Sequence, residues 1–300
     1  MGLLRQNMVE KATGTNALSL EVPAGESVLV KDIRHTLNAA GAEDLTVSIA
    51  RKKVCQFKAP SGFYLLGGIQ LSEIPPITDL FKAAGLFPQW PVAAGETITI
   101  SAGAASSYLE MVYDAYDEGD QRAEMFNGSR SGSYRLFQMI SNSSVLGAAG
   151  DMPLDQSDLD SAFAQFPGGD VVPANTRAVL RGLFGAGVTT STGGTNGQWT
   201  TFLKFLKDRE EMFDRDLVGM NYLGNAADTS NAVVYSSVMS QLNVPRANDH
   251  GRIVVFDEPI IFGPGEELNI IATIGETGSA MDFVAGDVKL GLVIDFERIG

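Results

Sequence analysis

Three stretches of the chain follow one plan: VPAGESVLV from Val22 to Val30, VAAGETITI from Val92 to Ile100, and FGPGEELNI from Phe262 to Ile270. Each carries a Gly-Glu pair at a tight turn and then alternates apolar with polar residues. Glycine accepts the positive φ that such turns need, and strict alternation is the period of a half-buried strand. A chain that re-enters a strand this way several times is expected to be all-β. Its 33 glycines and 19% charged residues suit many tight turns and much covered surface, and covered surface points to an oligomer.

The three turns sit in an ordered pattern. EVPAGESVLVKDI resembles VVPANTRAVLRGL in layout, WPVAAGETITISA resembles IIFGPGEELNIIA, and SYLEMVYDAYDEGD resembles DVKLGLVIDFERIG. The blocks keep their order along the chain, as a tandem duplication of one β-domain predicts. The expected division is an N-terminal arm over 1–16, a first β-sandwich over 17–118, a connector over 119–170 with one short strand over Tyr134–Ile140, and a second sandwich over 171–300. Leu45–Phe57 reads as one strand. The pattern over Thr201–Phe213 is open between strand and helix, with Thr201, Leu203, Phe205 and Lys207 favouring a strand at its start. Short helices are expected over Ile77–Gly85, closed by its glycine, and after a cap at Ser157 or Asp158, with Leu159, Phe163 and Phe166 on the apolar face.

Each half has several strands with turn signals between them and one helix-like piece or long loop, and the immunoglobulin Cys…Trp…Cys spacing is absent, so an eight-stranded jelly roll fits better than a seven-stranded immunoglobulin sandwich. Two jelly rolls in one chain of this length resemble the double jelly-roll capsid proteins of icosahedral DNA viruses. The resemblance lies in strand layout and length over nearly the whole chain; no short motif carries it. It implies a homotrimer of pseudo-six-fold outline, with 119–170 linking the two rolls and Thr189–Trp199 forming an exposed loop.

Catalytic and metal sites are hard to assemble from these residues. His35 and His250 lie far apart and outside any H-x-H pattern, which excludes a cupin metal centre. Asp114, Asp117, Glu118 and Asp120 offer oxygen ligands for Ca²⁺ but lack the spacing of a calcium loop, and a solvated strand end is the simpler reading. The single cysteine, Cys55, sits among strand residues and reads as a buried structural thiol. No G-x-S-x-G is present, and the Gly-rich Gly185–Gly197 lacks the G-K-[ST] of a phosphate loop. No cofactor is expected. With a net charge of −14 and no basic run beyond Arg51, Lys52 and Lys53, direct nucleic-acid binding is not expected either. Neither a signal peptide nor a transmembrane helix is evident, which suits synthesis in a host cytoplasm.

Together these features read as a structural virion protein without catalysis, forming or decorating an icosahedral capsid. Its expected partners are further copies of itself and other virion proteins, with an inner lipid layer possible nearby. Leu3, Leu4, Met8 and Val9 are the candidate contacts of an assembly arm that orders against a neighbour. The alternative is a receptor- or carbohydrate-binding spike, for which Trp199, Asn196 and Thr195 form a candidate loop, with Trp90 and Tyr222 as further aromatics. A glycosidase would need two paired carboxylates, and nothing in the sequence pairs them.

Overall fold

The computed structural model describes residues 2–36, 43–59, 65–66, 69–70, 81–82, 84–86, 90–102, 108–120, 133–143, 150–157, 166, 171–189, 199–213, 220–221, 233–235, 254–275, 285 and 288–299. The chain begins with β1 (Leu3–Thr13), β2 (Ala17–Glu21), β3 (Glu26–Thr36), β4 (Glu43–Ile49), β5 (Lys52–Ala59), β6 (Leu65–Leu66) and β7 (Ile69–Gln70). It continues with β8 (Trp90–Val92), β9 (Thr97–Ala102), β10 (Tyr108–Asp117), β11 (Ser133–Ser141), β12 (Gly150–Pro153), β13 (Gln156–Ser157) and β14 (Thr176–Thr189). The last strands are β15 (Trp199–Lys207), β16 (Glu210–Phe213), β17 (Met220–Asn221), β18 (Val233–Tyr235), β19 (Val254–Phe262), β20 (Leu268–Gly275) and β21 (Val288–Arg298).

The all-β expectation holds, and the wiring is that of jelly-roll sandwiches. In the first half β1-β10-β3-β8 are neighbours in one sheet and β2-β9-β4-β5 in another; in the second half the neighbours are β11-β21-β14-β19 and β12-β20-β15-β16. Numbered within each set of eight main strands, both halves run 1-8-3-6 and 2-7-4-5. Both sixth strands carry a proline, Pro91 and Pro259, and both lie at a sheet edge, where a missing N–H costs no ladder bond.

The turns repeat as closely as the strands. Four turns that lead into strands close with a hydrogen bond from the fourth residue to the first: Glu26 N to Pro23 O, Glu96 N to Ala93 O, Thr176 N to Pro173 O and Glu266 N to Gly263 O. The third residue has φ +82° at Gly25, +76° at Gly95 and +83° at Gly265. Asn175 holds the same place at +59°, as the non-glycine residue best suited to it. Val22 N donates to Glu96 O while Gly95 N donates to Val22 O; Val172 N donates to Glu266 O while Gly265 N donates to Val172 O. Each half thus ties its turns together with the same pair of bonds.

The glutamate after the glycine has its own task. Glu96 Oε2 accepts from Ala93 N at 3.2 Å, and Glu266 Oε2 accepts from Gly263 N at 2.6 Å. Pro23 has no N–H to offer, so Glu26 is released to pair with Arg5 instead.

Several expectations are corrected. Leu45–Phe57 is a hairpin, not one strand: β4 and β5 turn at Ala50 and Arg51, both with positive φ (+49° and +67°). Asp208 and Arg209, at +50° and +72°, turn β15 into β16 in the same way, so Thr201–Phe213 is a hairpin too. Ser157 ends β13 opposite Ile140, and Asp158 and the start of the helix expected after it fall outside the described residues. Leu159 and Phe163 fall outside the described residues, and Phe166 is buried edge-on to Phe262 at 5.3 Å. Of the helix expected over Ile77–Gly85, the described part is its end. Leu86 N donates to Phe81 O and Gly85 N to Lys82 O, with Gly85 at φ +75°, which is a Schellman stop. Within 119–170, read as a connector, the strand expected over Tyr134–Ile140 is present as β11, and β12 and β13 join it; β11 and β12 hold the places in the second half that β1 and β2 hold in the first. Among the described residues no helix is long and apolar enough to cross a membrane.

Contacts divide the chain into two compact units, one of Met1–Phe137 with Asp295–Gly300 and one of Gln138–Ile294. Unit 1 buries Val28, Val30 and Ile33 of β3, Ile98 and Ile100 of β9, and Leu109 and Met111 of β10. Unit 2 buries Leu180, Phe205, Phe262, Leu268, Ile270 and Leu292. At about 1.5–3 kcal/mol for each fully buried large apolar side chain, these alternating faces are the main stabilising term.

Candidate assembly surface

The N-terminal segment departs most from the pattern of buried strands. Residues 3–13, expected in an arm ahead of the first strand, are themselves the first strand: β1 pairs antiparallel with β10, from Leu3 opposite Tyr116 to Thr13 opposite Tyr108. Its mixed apolar and polar sequence suits a sheet edge with little covering. No residue of β1 is buried. Leu3 and Leu4 are 45% and 46% exposed, Met8 36% and Val9 49%, so apolar side chains stand in solvent on both faces. Among the described residues β1 pairs with β10 alone, which leaves its outer edge open.

Polar side chains hold this strand in place. The register slips between Arg5 and Met8, where Asn7 takes φ +53°. Asp114 of β10 accepts the Asn7 N–H at 2.8 Å and pairs with Lys31 Nζ at 2.7 Å. Lys31 also donates to Asn7 Oδ1 at 2.6 Å. Lys31 is itself the extra residue of β3 where its register with β10 shifts, since Asp32 lies opposite Val112 and Val30 opposite Tyr113. Asp117 Oδ2 accepts from Gly2 N at 2.8 Å, and Arg5 pairs with Glu26. The acidic stretch after Tyr113 is therefore a clamp on β1. Asp114 is buried, and Asp117 N returns a bond to Gly2 O at 3.1 Å. Among the described residues no group of three His, Cys, Asp or Glu is placed to hold a metal ion.

The other eighth strand carries a buried carboxylate of its own. Asp295 of β21 lies in unit 1 and is buried; Arg135 of β11 grips it with two bonds, Nε at 2.6 Å and a terminal nitrogen at 2.8 Å. Sequence reading missed both pairs. The repeated -Asp- within YDAY and VIDF was the available signal, but an aspartate in an alternating strand reads as solvent-facing until its partner strand is known.

The remaining candidates fall elsewhere. Trp199 opens β15 with its backbone opposite Gly275. Thr195, Asn196, Tyr222 and His250 lie outside the described residues. His35 lies in β3 opposite Leu109. Trp90 is buried in unit 1 beside Phe137, with ring centroids 6.4 Å apart, and so is a core residue. Cys55 is fully buried, and loss of hydration pushes its thiol well above the usual range. In unit 2, Lys207 pairs with Glu266 at 2.8 Å, donates to Ile261 O at 3.0 Å and lies over the Phe262 ring. The Lys207 bond, with that from Gly263 N, holds the Glu266 carboxyl below its ordinary range against the opposing effect of burial.

No family model matches the chain, and no curated protein matches it. Among solved structures it is similar to PNGF-II at TM-score 0.40 and 9% identity, covering 100% of this chain and 65% of that one. It is also similar to the major capsid protein P2 of bacteriophage PM2, at TM-score 0.33 and 13% identity over 100% of this chain and 98% of that one. A triple jelly-roll protein of an archaeal virus shows TM-score 0.20 and 10% identity, covering 99% and 61%. Jelly-roll capsid proteins are thus among its structural neighbours. None of the three reaches a TM-score of 0.5, so the weight of a functional reading falls on the chain's own residues.

Proposed function

We propose that this chain is a structural subunit of a virus particle, forming or decorating an icosahedral shell as a symmetric oligomer, expected to be a homotrimer, without a catalytic role. One observation carries the reading: a single chain builds the eight-strand jelly-roll wiring twice and leaves its first strand bare of any buried side chain. The doubled wiring is what the resemblance to double jelly-roll capsid proteins predicts. Fold alone does not give function, and the second support is the β1 edge. Four exposed apolar residues on one open strand are costly in a protein that stays single, because such an edge invites pairing. In an assembly the same edge is a contact. The low charge and high glycine content fit a protein whose surface is largely covered.

The test is the mass of the purified chain by light scattering across a concentration series, with electron microscopy of the same sample. A defined oligomer, or one that goes on to shells or sheets, supports the reading. A monomer at every concentration refutes it.

A further inference from the structure

The two rolls share one wiring but differ at two edges. Within unit 1, β11 lies parallel to β5, with Phe137 opposite Cys55. That part of β11 is buried: Leu136 is 1% exposed and Phe137 0%, with the Phe137 ring 4.6 Å from Phe81. By position in the wiring β1 corresponds to β11, and β16 corresponds to β5. Among the described residues β1 pairs only with β10 and β16 only with β15. One junction is therefore made inside the chain, and the two strands equivalent to its halves are left open.

We propose that β16 of a second copy of this chain adds in parallel to the outer edge of β1, repeating between copies the junction that β5 and β11 make within one. This rests on the assembly role proposed above and names its contact. The register comes from the repeat. The hairpin turns Ala50-Arg51 and Asp208-Arg209 superpose in sequence, which carries Cys55 onto Phe213. Arg5 lies opposite Ala115, and Ala115 aligns with Asp295, the residue that Arg135 grips; this carries Arg135 onto Arg5 and Phe137 onto Asn7. Asn7 then faces Phe213, Gln6 faces Met212, and Arg5 faces Glu211. The charges agree: Arg5 of one copy meets the exposed Glu211 of the next, and a guanidinium already paired with Glu26 keeps donors for a second carboxylate. The slip at Asn7 confines regular pairing to short stretches, which disfavours indiscriminate edge-to-edge growth. The contact joins two different surfaces, so copies follow one another head to tail and close into a ring.

Full-length chains carrying Gln6→Cys or Met212→Cys are mixed, allowed to exchange, and treated with a short bis-maleimide; Leu4→Cys with Glu210→Cys is a second pair. All four sites except the half-buried Met212 are exposed, and buried Cys55 stays unreactive, so the wild-type chain is the blank. The expected result is a cross-linked dimer in each mixture and none from either variant alone. A chain carrying both cysteines should give a ladder ending at the ring. Cross-linking of Gln6→Cys to itself would mean two-fold β1–β1 pairing and overturns the proposal. An oligomer by light scattering with no cross-link from either pair also overturns it, while leaving the assembly role standing. The absence of any oligomer overturns both.

Discussion

Replacing Asp114 by alanine should release the N-terminal strand without unfolding the roll. β1 buries no side chain, so apolar burial contributes little to holding it, and its attachment rests on the β10 ladder and a few polar contacts. Two of these end on one carboxylate oxygen: the Asn7 N–H at 2.8 Å and Lys31 Nζ at 2.7 Å. A hydrogen bond to a charged acceptor is worth about 1.5–3 kcal/mol. Lys31 is 29% exposed and can regain water, so its loss adds little. The expected cost is thus about 2 kcal/mol, and it falls on β1. At 1.4 kcal/mol per tenfold, amides of residues 2–13 should exchange about 30-fold faster. Those of β9 should stay protected. Asp114→Asn keeps an acceptor for Asn7 N and should show a smaller increase. The assay is native-state hydrogen exchange read by mass spectrometry. Unchanged protection of β1 in Asp114→Ala, or equal loss across β1 and β9, would refute the idea that this carboxylate clamps an otherwise loosely held strand.

The other expectations concern turns and charge. Gly95→Ala should cost about 1 kcal/mol by chemical denaturation; the added methyl meets nothing within 4 Å, so the cost comes from φ +76° alone. Asn175→Gly, at φ +59°, should be neutral within a few tenths of a kcal/mol by the same assay. Glu266 has its folded pKa lowered, so its contribution is present above the ordinary carboxylate range and fades as pH falls through the folded value. Glu266→Gln should therefore lower stability near pH 7 by about 0.5 kcal/mol, discounted because both partners are 32% exposed, with the difference vanishing in acid denaturation series. Asp295→Ala leaves the Arg135 guanidinium, 23% exposed, without its carboxylate and should cost about 3 kcal/mol in urea titration; Arg135→Met with Asp295→Leu should recover most of it.

The strands legible in the sequence were those whose alternation faces one core. TITISA and LEMVY alternate because one side packs inward, and the observed burial of Ile98, Ile100 and Ala102, and of Leu109, Met111 and Tyr113, follows that pattern; SVLV is buried on both faces. Turns with glycine were equally plain, since Gly25, Gly95 and Gly265 each combine the right spacing with freedom at positive φ. The hairpins at Ala50-Arg51 and Asp208-Arg209 were not: neither carries the Asn-Gly or Asp-Gly that such turns usually show, so the alternation ran on unbroken across them. β1 was hidden for the opposite reason. An edge strand with both faces in water has no period to detect, and LLRQNMVEKAT reads as an arm. What fixes it in place are Asp114, Asp117, Lys31 and Glu26, scattered over about ninety residues and brought together only by the sheet order.

Each eighth strand carries one buried aspartate, in two different settings. Asp114 and Asp295 lie one place apart when the two strands are aligned, and both are buried. In one case the carboxylate faces a strand with bare edges, and it answers a backbone N–H and a lysine that can both rehydrate. In the other it faces Arg135 on a strand whose Leu136 and Phe137 are packed, and it answers a planar guanidinium with two short bonds that fix position as well as charge. Exposure does not separate the two pairs, since Lys31 is 29% exposed and Arg135 23%, over carboxylates at 7% and 8%. What separates them is geometry: an ammonium on a flexible stem attracts as a point charge, whereas a guanidinium fork fixes orientation as well as distance. Asp295 therefore holds β11 in one pose, while Asp114 holds β1 through a backbone N–H and a charge that can swing.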